Sequence, residues 1–122
     1  MSLNVVLLQN DSRVAQALVA SLCNSFHSVR MVRSLDELRT SLPKHRCEVV
    51  VLDMEVATLS DVEHLAHEFP QATIVCTHRL PDEEMWTAAL NAGAADICPS
   101  TDARSVLLAA LRNTSQTHSA AA

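Results

Sequence analysis

A short apolar run that ends on a carboxylate constrains the fold of this chain more than any other feature. The run covers Val49–Leu52 and is followed at once by Asp53. A β-branched run bounded by polar residues is typical of a strand buried on both faces, as in a parallel sheet. Asp53 would then lie at the carboxyl end of a central strand, the edge where open α/β sheets bind their ligands. We therefore expect Asp53 to have a chemical role or a specific partner.

Four further segments have strand character, and segments with helical spacing of apolar residues separate them. The strands are predicted at Leu3–Leu8, Ser28–Val32, Ala72–Thr77 and Ala95–Cys98. Residues that favour helix starts precede the helical segments, namely Asn10-Asp11-Ser12, Ser34, Ser60, Pro81 and Asp102. Gly93, the only glycine, predicts the end of the fourth helix. Residues 1–113 are expected to form one domain, and residues 114–122, rich in Ser, Thr and Ala, a frayed or disordered tail.

Strands that alternate with helices over short connections predict an α/β fold with right-handed crossovers. We expect a single doubly wound five-stranded parallel sheet with helices on both faces and the flavodoxin-like strand order 2-1-3-4-5. The switch point of that order lies between the first and third strands. It places the loop Gln9-Asn10-Asp11 beside Asp53, so the topology alone predicts a polar site there.

Composition excludes several classes of partner. The net charge is −5 and aromatic residues make up 2% of the chain. Nucleic-acid binding by this domain is not expected, because it depends on clustered Lys and Arg and on aromatic stacking. No apolar run approaches the length of a membrane span and no secretory leader is recognisable, so we expect a cytoplasmic protein without membrane contact.

The four cysteines show no paired spacing. Cys23, Cys47, Cys76 and Cys98 are spread over the chain, and the last two fall in strand-like segments. Free cysteine in such a segment behaves as a small apolar residue. We expect reduced thiols rather than disulfides or a metal centre.

At this point the chain resembles the receiver domain of two-component response regulators over nearly its whole length. Leu52-Asp53-Met54 matches the motif whose aspartate accepts phosphate, and Thr77 matches the hydroxyl residue at the end of the fourth strand. Asn91–Asp96 matches the alanine-glycine-alanine turn before the fifth strand. Gln9-Asn10-Asp11 stands where the family has its acidic pair.

The departures from the family pattern concern charge. Gln9 and Asn10 stand where two carboxylates usually hold Mg²⁺, and Ser100 stands where a lysine usually pairs with the phosphoryl group. His78 follows Thr77 where a small residue is usual. Phosphoryl transfer depends on positioning and on neutralising charge at the equatorial oxygens. The resemblance therefore implies an atypical receiver in which phosphorylation at Asp53 is weak or lost.

Three functions follow as hypotheses. The first is a signalling module, not an enzyme, that needs no cofactor and binds a histidine kinase or another signalling protein, or forms a homodimer through its fourth helix, fifth strand and fifth helix. The second keeps the switch: a histidine kinase phosphorylates Asp53, and Asp11 and Glu55 help to hold a weakly bound Mg²⁺, with Asp11 and Asp53 as its ligands. The third is a small flavodoxin-like cofactor binder or enzyme, which the lack of a glycine-rich phosphate loop disfavours.

Overall fold

The sheet has five parallel strands. The computed structural model describes the backbone of residues 3–121 and the side chains of residues 3–114. The strands are β1 (Asn4–Leu8), β2 (Ser28–Val32), β3 (Val49–Asp53), β4 (Thr73–His78) and β5 (Asp96–Pro99). They pair in parallel in the order β2-β1-β3-β4-β5. The predicted doubly wound sheet with order 2-1-3-4-5 is confirmed.

Helices cover both faces of the sheet. They are α1 (Ser12–Leu22), α2 (Leu35–Lys44), α3 (Leu59–Glu68), α4 (Glu83–Ala92) and α5 (Ala103–Ala121). Alternate residues of β3 belong to different cores: Val50 and Leu52 pack with α2, α3 and α4, while Val49 and Val51 pack with α1 and α5. Because both faces are covered, β3 is apolar at every position before Asp53.

Side-chain caps set the helix starts, and the predicted cap of the third helix is wrong. Ser34 caps α2, where its hydroxyl accepts from the Glu37 N–H at 3.1 Å. The third helix begins at Leu59, because Thr58 rather than Ser60 is its cap. The Thr58 hydroxyl accepts from the Asp61 N–H at 3.2 Å, and the Asp61 carboxylate accepts from the Thr58 N–H at 2.8 Å. This reciprocal pair satisfies two donors that a start at Ser60 would leave free.

The two ends of α4 differ in how well they were predicted. Pro81 lies outside the helix, and Asp82 is the cap, accepting from the Met85 N–H at 2.9 Å. At the other end Gly93 has φ +114°, as predicted for a left-handed cap. A Cβ on Gly93 would lie 2.5 Å from the Ala66 Cβ of α3. The turn into β5 therefore depends on glycine for both conformation and space.

The folded body extends through Thr114, one residue beyond the predicted boundary. Thr114 is buried and its hydroxyl donates to the Ala110 carbonyl. The backbone of α5 runs to Ala121. The side chains of residues 115–121 and the whole of residue 122 lie outside the described part, so the predicted frayed tail stays a prediction.

No helix among the described residues is both long enough and apolar enough to cross a membrane.

Candidate functional site at the carboxyl edge of the sheet

Parallel pairing brings Asp53 and Thr77 side by side at the carboxyl ends of the two central strands. They are register partners across β3 and β4, and Thr77 in turn pairs with Cys98 of β5. Asp53 is 1% exposed and Thr77 0%. The predicted position of Asp53, at the end of a central strand and next to a hydroxyl, is therefore what the structure has.

Backbone N–H groups from two loops hold the Asp53 carboxylate. Oδ2 accepts from the Asn10 N–H at 3.1 Å, and Oδ1 accepts from the Glu55 N–H at 2.9 Å. The Asp53 carbonyl accepts from the N–H groups of Val56 and Ala57 at 3.1 and 2.9 Å, which folds the following loop tightly over it. Hydrogen bonds from N–H groups stabilise a buried carboxylate without a cation.

The loop after β1 meets the site through Gln9. Its Nε2 is 3.5 Å from the Thr77 hydroxyl, to which it donates, and its Oε1 accepts from the Asp11 N–H at 3.2 Å. The side chain thus ties the loop to β4. A neutral amide provides this link at a position where the resemblance implies a carboxylate.

Asp11 is the cap of α1. Its Oδ1 accepts from the N–H groups of Arg13 and Val14 at 2.9 and 3.3 Å. This gives the predicted pocket residue a structural role at the helix start. Within the described residues no group of three or more His, Cys, Asp or Glu side chains is arranged to hold a metal ion. Magnesium binding by Asp11 and Asp53 stays a prediction.

An ion pair that the sequence did not suggest joins the loops on either side of Asp53. The Arg79 Nε lies 2.7 Å from Glu55 Oε1, and the two side chains are 78% and 27% exposed. Each residue comes two positions after a register pair, Asp53 and Thr77, so that equal offset was the available signal. The pair spans the β3–α3 and β4–α4 loops.

His78 and Ser100 lie at the neighbouring strand ends, as predicted. The His78 carbonyl accepts from the Ser100 N–H at 2.9 Å, and Ser100 is buried. The His78 Nδ1 accepts from the Leu80 N–H at 3.1 Å. His78 organises the β4–α4 loop through its ring and its backbone.

Two cysteine thiols near the site, those of Cys76 and Cys98, are protonated and unreactive. Burial raises the pKa of Cys76 to about 12, and burial together with Asp96 raises that of Cys98 to about 12. They lie on opposite faces of the sheet, in different cores. All four cysteines are free, as expected. Nucleophilic thiol chemistry needs a lowered pKa, so Cys76 and Cys98 fill the core instead.

Comparison with solved structures identifies the fold. No protein-family model and no curated protein matches the chain. A response regulator from Thermotoga maritima, 18% identical, has a TM-score of 0.84 over 94% of this chain and 99% of its own. A CheY-like receiver domain protein from Methanospirillum hungatei JF-1, 12% identical, has a TM-score of 0.83 over 98% of each chain.

A longer protein matches equally well over part of its length. NtrX from Brucella abortus is 16% identical, with a TM-score of 0.85 over 97% of this chain, but this chain spans only 27% of NtrX. Identities this low show the fold alone. The chain therefore has the fold of the response-regulator receiver domain.

Proposed function

We propose that this protein is an atypical receiver domain, a signalling module that acts by binding other proteins and in which phosphorylation at Asp53 is weak or lost. The observation that carries the proposal is the set of partners around Asp53. Its two carboxylate oxygens accept from backbone N–H groups of Asn10 and Glu55, at 3.1 and 2.9 Å. The carboxylate is thus stabilised by fixed neutral donors.

The neutral surroundings raise the barrier to phosphorylation. A phosphoryl group adds negative charge that needs a metal ion or a cation at its equatorial oxygens. The side chains available at the lysine and acidic-pair positions are Ser100, Gln9 and Asn10, which carry no charge. Arg79, two residues after Thr77, is already paired with Glu55 at 2.7 Å. We expect the unmodified form to be the working form.

Protein binding is proposed to use the α4-β5-α5 face. Three exposed apolar residues support this: Trp86 on α4 is 49% exposed, Leu108 on α5 is 45% exposed, and Leu80 before α4 is 82% exposed. Tryptophan is enriched where proteins bind each other. A signalling protein such as a histidine kinase, or a second copy of this chain, is the proposed partner, and nucleic acid is not.

Acetyl phosphate and beryllofluoride, each with Mg²⁺, test whether Asp53 still accepts a phosphoryl group. We expect intact mass to show no stable adduct with acetyl phosphate and the amide NMR spectrum to stay unchanged with beryllofluoride. Asp53→Asn is the control, since it removes the acceptor and keeps the size of the side chain. A Mg²⁺-dependent adduct that disappears in Asp53→Asn would overturn the proposal.

That outcome would support a second candidate, a phospho-accepting receiver switched by a histidine kinase. Specific observations favour keeping it: Asp53 and Thr77 are adjacent register partners, and both are buried at the strand ends. Mg²⁺ would then need Asp53 and oxygen ligands from Asp11 or Glu55, which now cap α1 and bind Arg79. Asp11→Asn should then weaken the Mg²⁺ dependence, because it removes one of the candidate carboxylate ligands.

A further inference from the structure

A cleft opens at the same edge of the sheet, beside the Asp53 site, with which it shares Gln9 and Asn10. It lies over the carboxyl ends of β1 and β2, beside the first turns of α1, and has a volume of about 510 Å³. Asp53 does not line it. Crevices outside the carboxyl ends of strands, next to a switch point, are where open α/β sheets bind small molecules, and this volume is in the usual range for such sites.

The lining of this cleft has a charge opposite to that of the chain. The chain carries a net charge of −5, yet Arg33 is the only ionisable residue in the lining. Among the side chains that the structure describes, the Arg33 guanidinium forms no ion pair. Its backbone N–H donates to Glu37 Oε2 at 3.3 Å, which fixes the start of the Arg33 side chain. The cleft thus offers one guanidinium that forms no ion pair with a described side chain.

Carboxamides supply the neutral polar part of the lining. Asn10 and Gln16 both line the cleft, and neither side chain is hydrogen-bonded to another described residue. Each amide has donors and an acceptor, which complements the N–H and C=O of a peptide group. The polar groups in this cleft therefore suit a ligand that carries an amide as well as a negative charge.

Two exposed apolar side chains also line the cleft. Met31 on β2 is 53% exposed and Val56 after β3 is 42% exposed, and both line the cleft. A methionine thioether contacts aromatic rings favourably and adapts to their shape. An apolar or aromatic group between them would remove both side chains from water.

We propose that this cleft binds an N-acylated amino acid with an apolar side chain, either free or as the last residue of a peptide. The ligand carboxylate pairs with Arg33, whose planar guanidinium matches a carboxylate with two parallel hydrogen bonds. The ligand amide bonds with Asn10 and Gln16, and its side chain lies against Met31 and Val56. The cleft adjoins the Asp53 site through Asn10, but ligand binding there does not require phosphorylation of Asp53.

Amide NMR titration with N-acetyl-L-phenylalanine tests the proposal, and N-acetyl-L-phenylalaninamide is the matched neutral probe. We expect saturable shifts at Asn10, Gln16 and Arg33 with the acid at millimolar concentration, and binding at least about tenfold weaker for the amide, because a hydrogen bond to a charged group is lost. Tighter binding of N-acetyl-Gly-Gly-Phe than of N-acetyl-L-phenylalanine would assign a peptide C-terminus as the source.

Two arginines on β2 and just after it give the matched protein controls. Arg33→Ala should weaken binding of the acid about tenfold and leave binding of the amide unchanged. Arg30→Ala removes an equal charge from an exposed position that does not line the cleft, and should change neither. Unchanged urea unfolding of each variant shows that the fold is intact. Equal effects of both substitutions, equal binding of acid and amide, or no saturable shifts would overturn the proposal.

Discussion

The turn at Gly93 and the loop at Asp53 are both tight chain reversals at strand ends, and they are held in different ways. Packing fixes the first: Gly93 has φ +114° and a Cβ there would lie 2.5 Å from the Ala66 Cβ. Hydrogen bonds hold the second, as Asn10 and Glu55 donate their N–H groups to the Asp53 carboxylate. The Gly93 turn therefore has no room for a side chain, whereas the Asp53 carboxylate is held by uncharged N–H donors.

Gly93→Ala should have the largest effect of any single change considered. A left-handed conformation and an overlap with α3 together should lower the free energy of unfolding by about 3 kcal/mol, measured by urea denaturation. Ala66→Gly removes the atom that the new Cβ would meet. In that background Gly93→Ala should cost less. An equal cost in both backgrounds would mean that backbone conformation alone makes the turn rigid.

The thiols of β4 and β5 test the framework through pH. Burial raises the pKa of Cys76 and of Cys98 from 9.0 to about 12, so the folded state holds protons that the unfolded chain loses. Their stabilising contribution is complete below pH 9 and declines as the pH rises toward 12. Between pH 8 and 10 the free energy of unfolding should fall by roughly 1 kcal/mol per thiol.

Few other groups of this chain titrate in the alkaline range of that measurement. It has no tyrosine, and Lys44 is its only lysine. Cys47 is a lesser contributor, since partial burial also raises its pKa. Replacing both Cys76 and Cys98 by alanine should flatten the dependence between pH 8 and 10. A dependence that persists in the double variant would assign the loss of stability to other groups.

The sign of the change in the free energy of unfolding caused by Asp53→Ala tests how the Asp53 loop is held. Removing an aspartate from a pocket of crowded carboxylates would relieve repulsion and stabilise the fold. Here the partners of Asp53 are N–H groups, so we expect destabilisation by about 1 kcal/mol as two donors lose their acceptor. Asp53→Asn keeps one oxygen acceptor and should cost less. A rise in the melting temperature of Asp53→Ala would show that repulsion dominates the site.

The strand ends could be predicted from the sequence, because a strand buried on both faces is a continuous apolar run. The Val49–Leu52 run, the acid after it and Thr77 could all be placed from parallel pairing. Gly93 was equally clear, since a single glycine after an apolar helix is a strong stop signal. These features follow from local composition and from topology.

Details of the loops could not be predicted in the same way. Thr58 and Ser60 are equally good caps by type, each followed three residues later by an acid. The structure selects Thr58 because the Val56 and Ala57 N–H groups bond to the Asp53 carbonyl and end the loop early. The Arg79–Glu55 pair likewise depends on the register between β3 and β4. Choices between similar residues are settled by contacts distant in sequence.

The smallest predicted effect concerns that ion pair, and it decides what holds the β3–α3 loop. Arg79 is 78% exposed, so Arg79→Ala should change the free energy of unfolding by less than about 0.5 kcal/mol. Arg39→Ala, in the partly exposed Arg39–Glu68 pair, should have a similarly small effect. The Glu55 N–H should keep its protection from hydrogen exchange, because it donates to the Asp53 carboxylate and this bond does not involve Arg79. Loss of that protection in Arg79→Ala, but not in Arg39→Ala, would show that the ion pair holds the loop. In that case the ion pair between Arg79 and Glu55, and not the hydrogen bonds to Asp53 alone, would hold the β3–α3 loop. The Asp53 loop would then differ from the packed Gly93 turn in depending on charge.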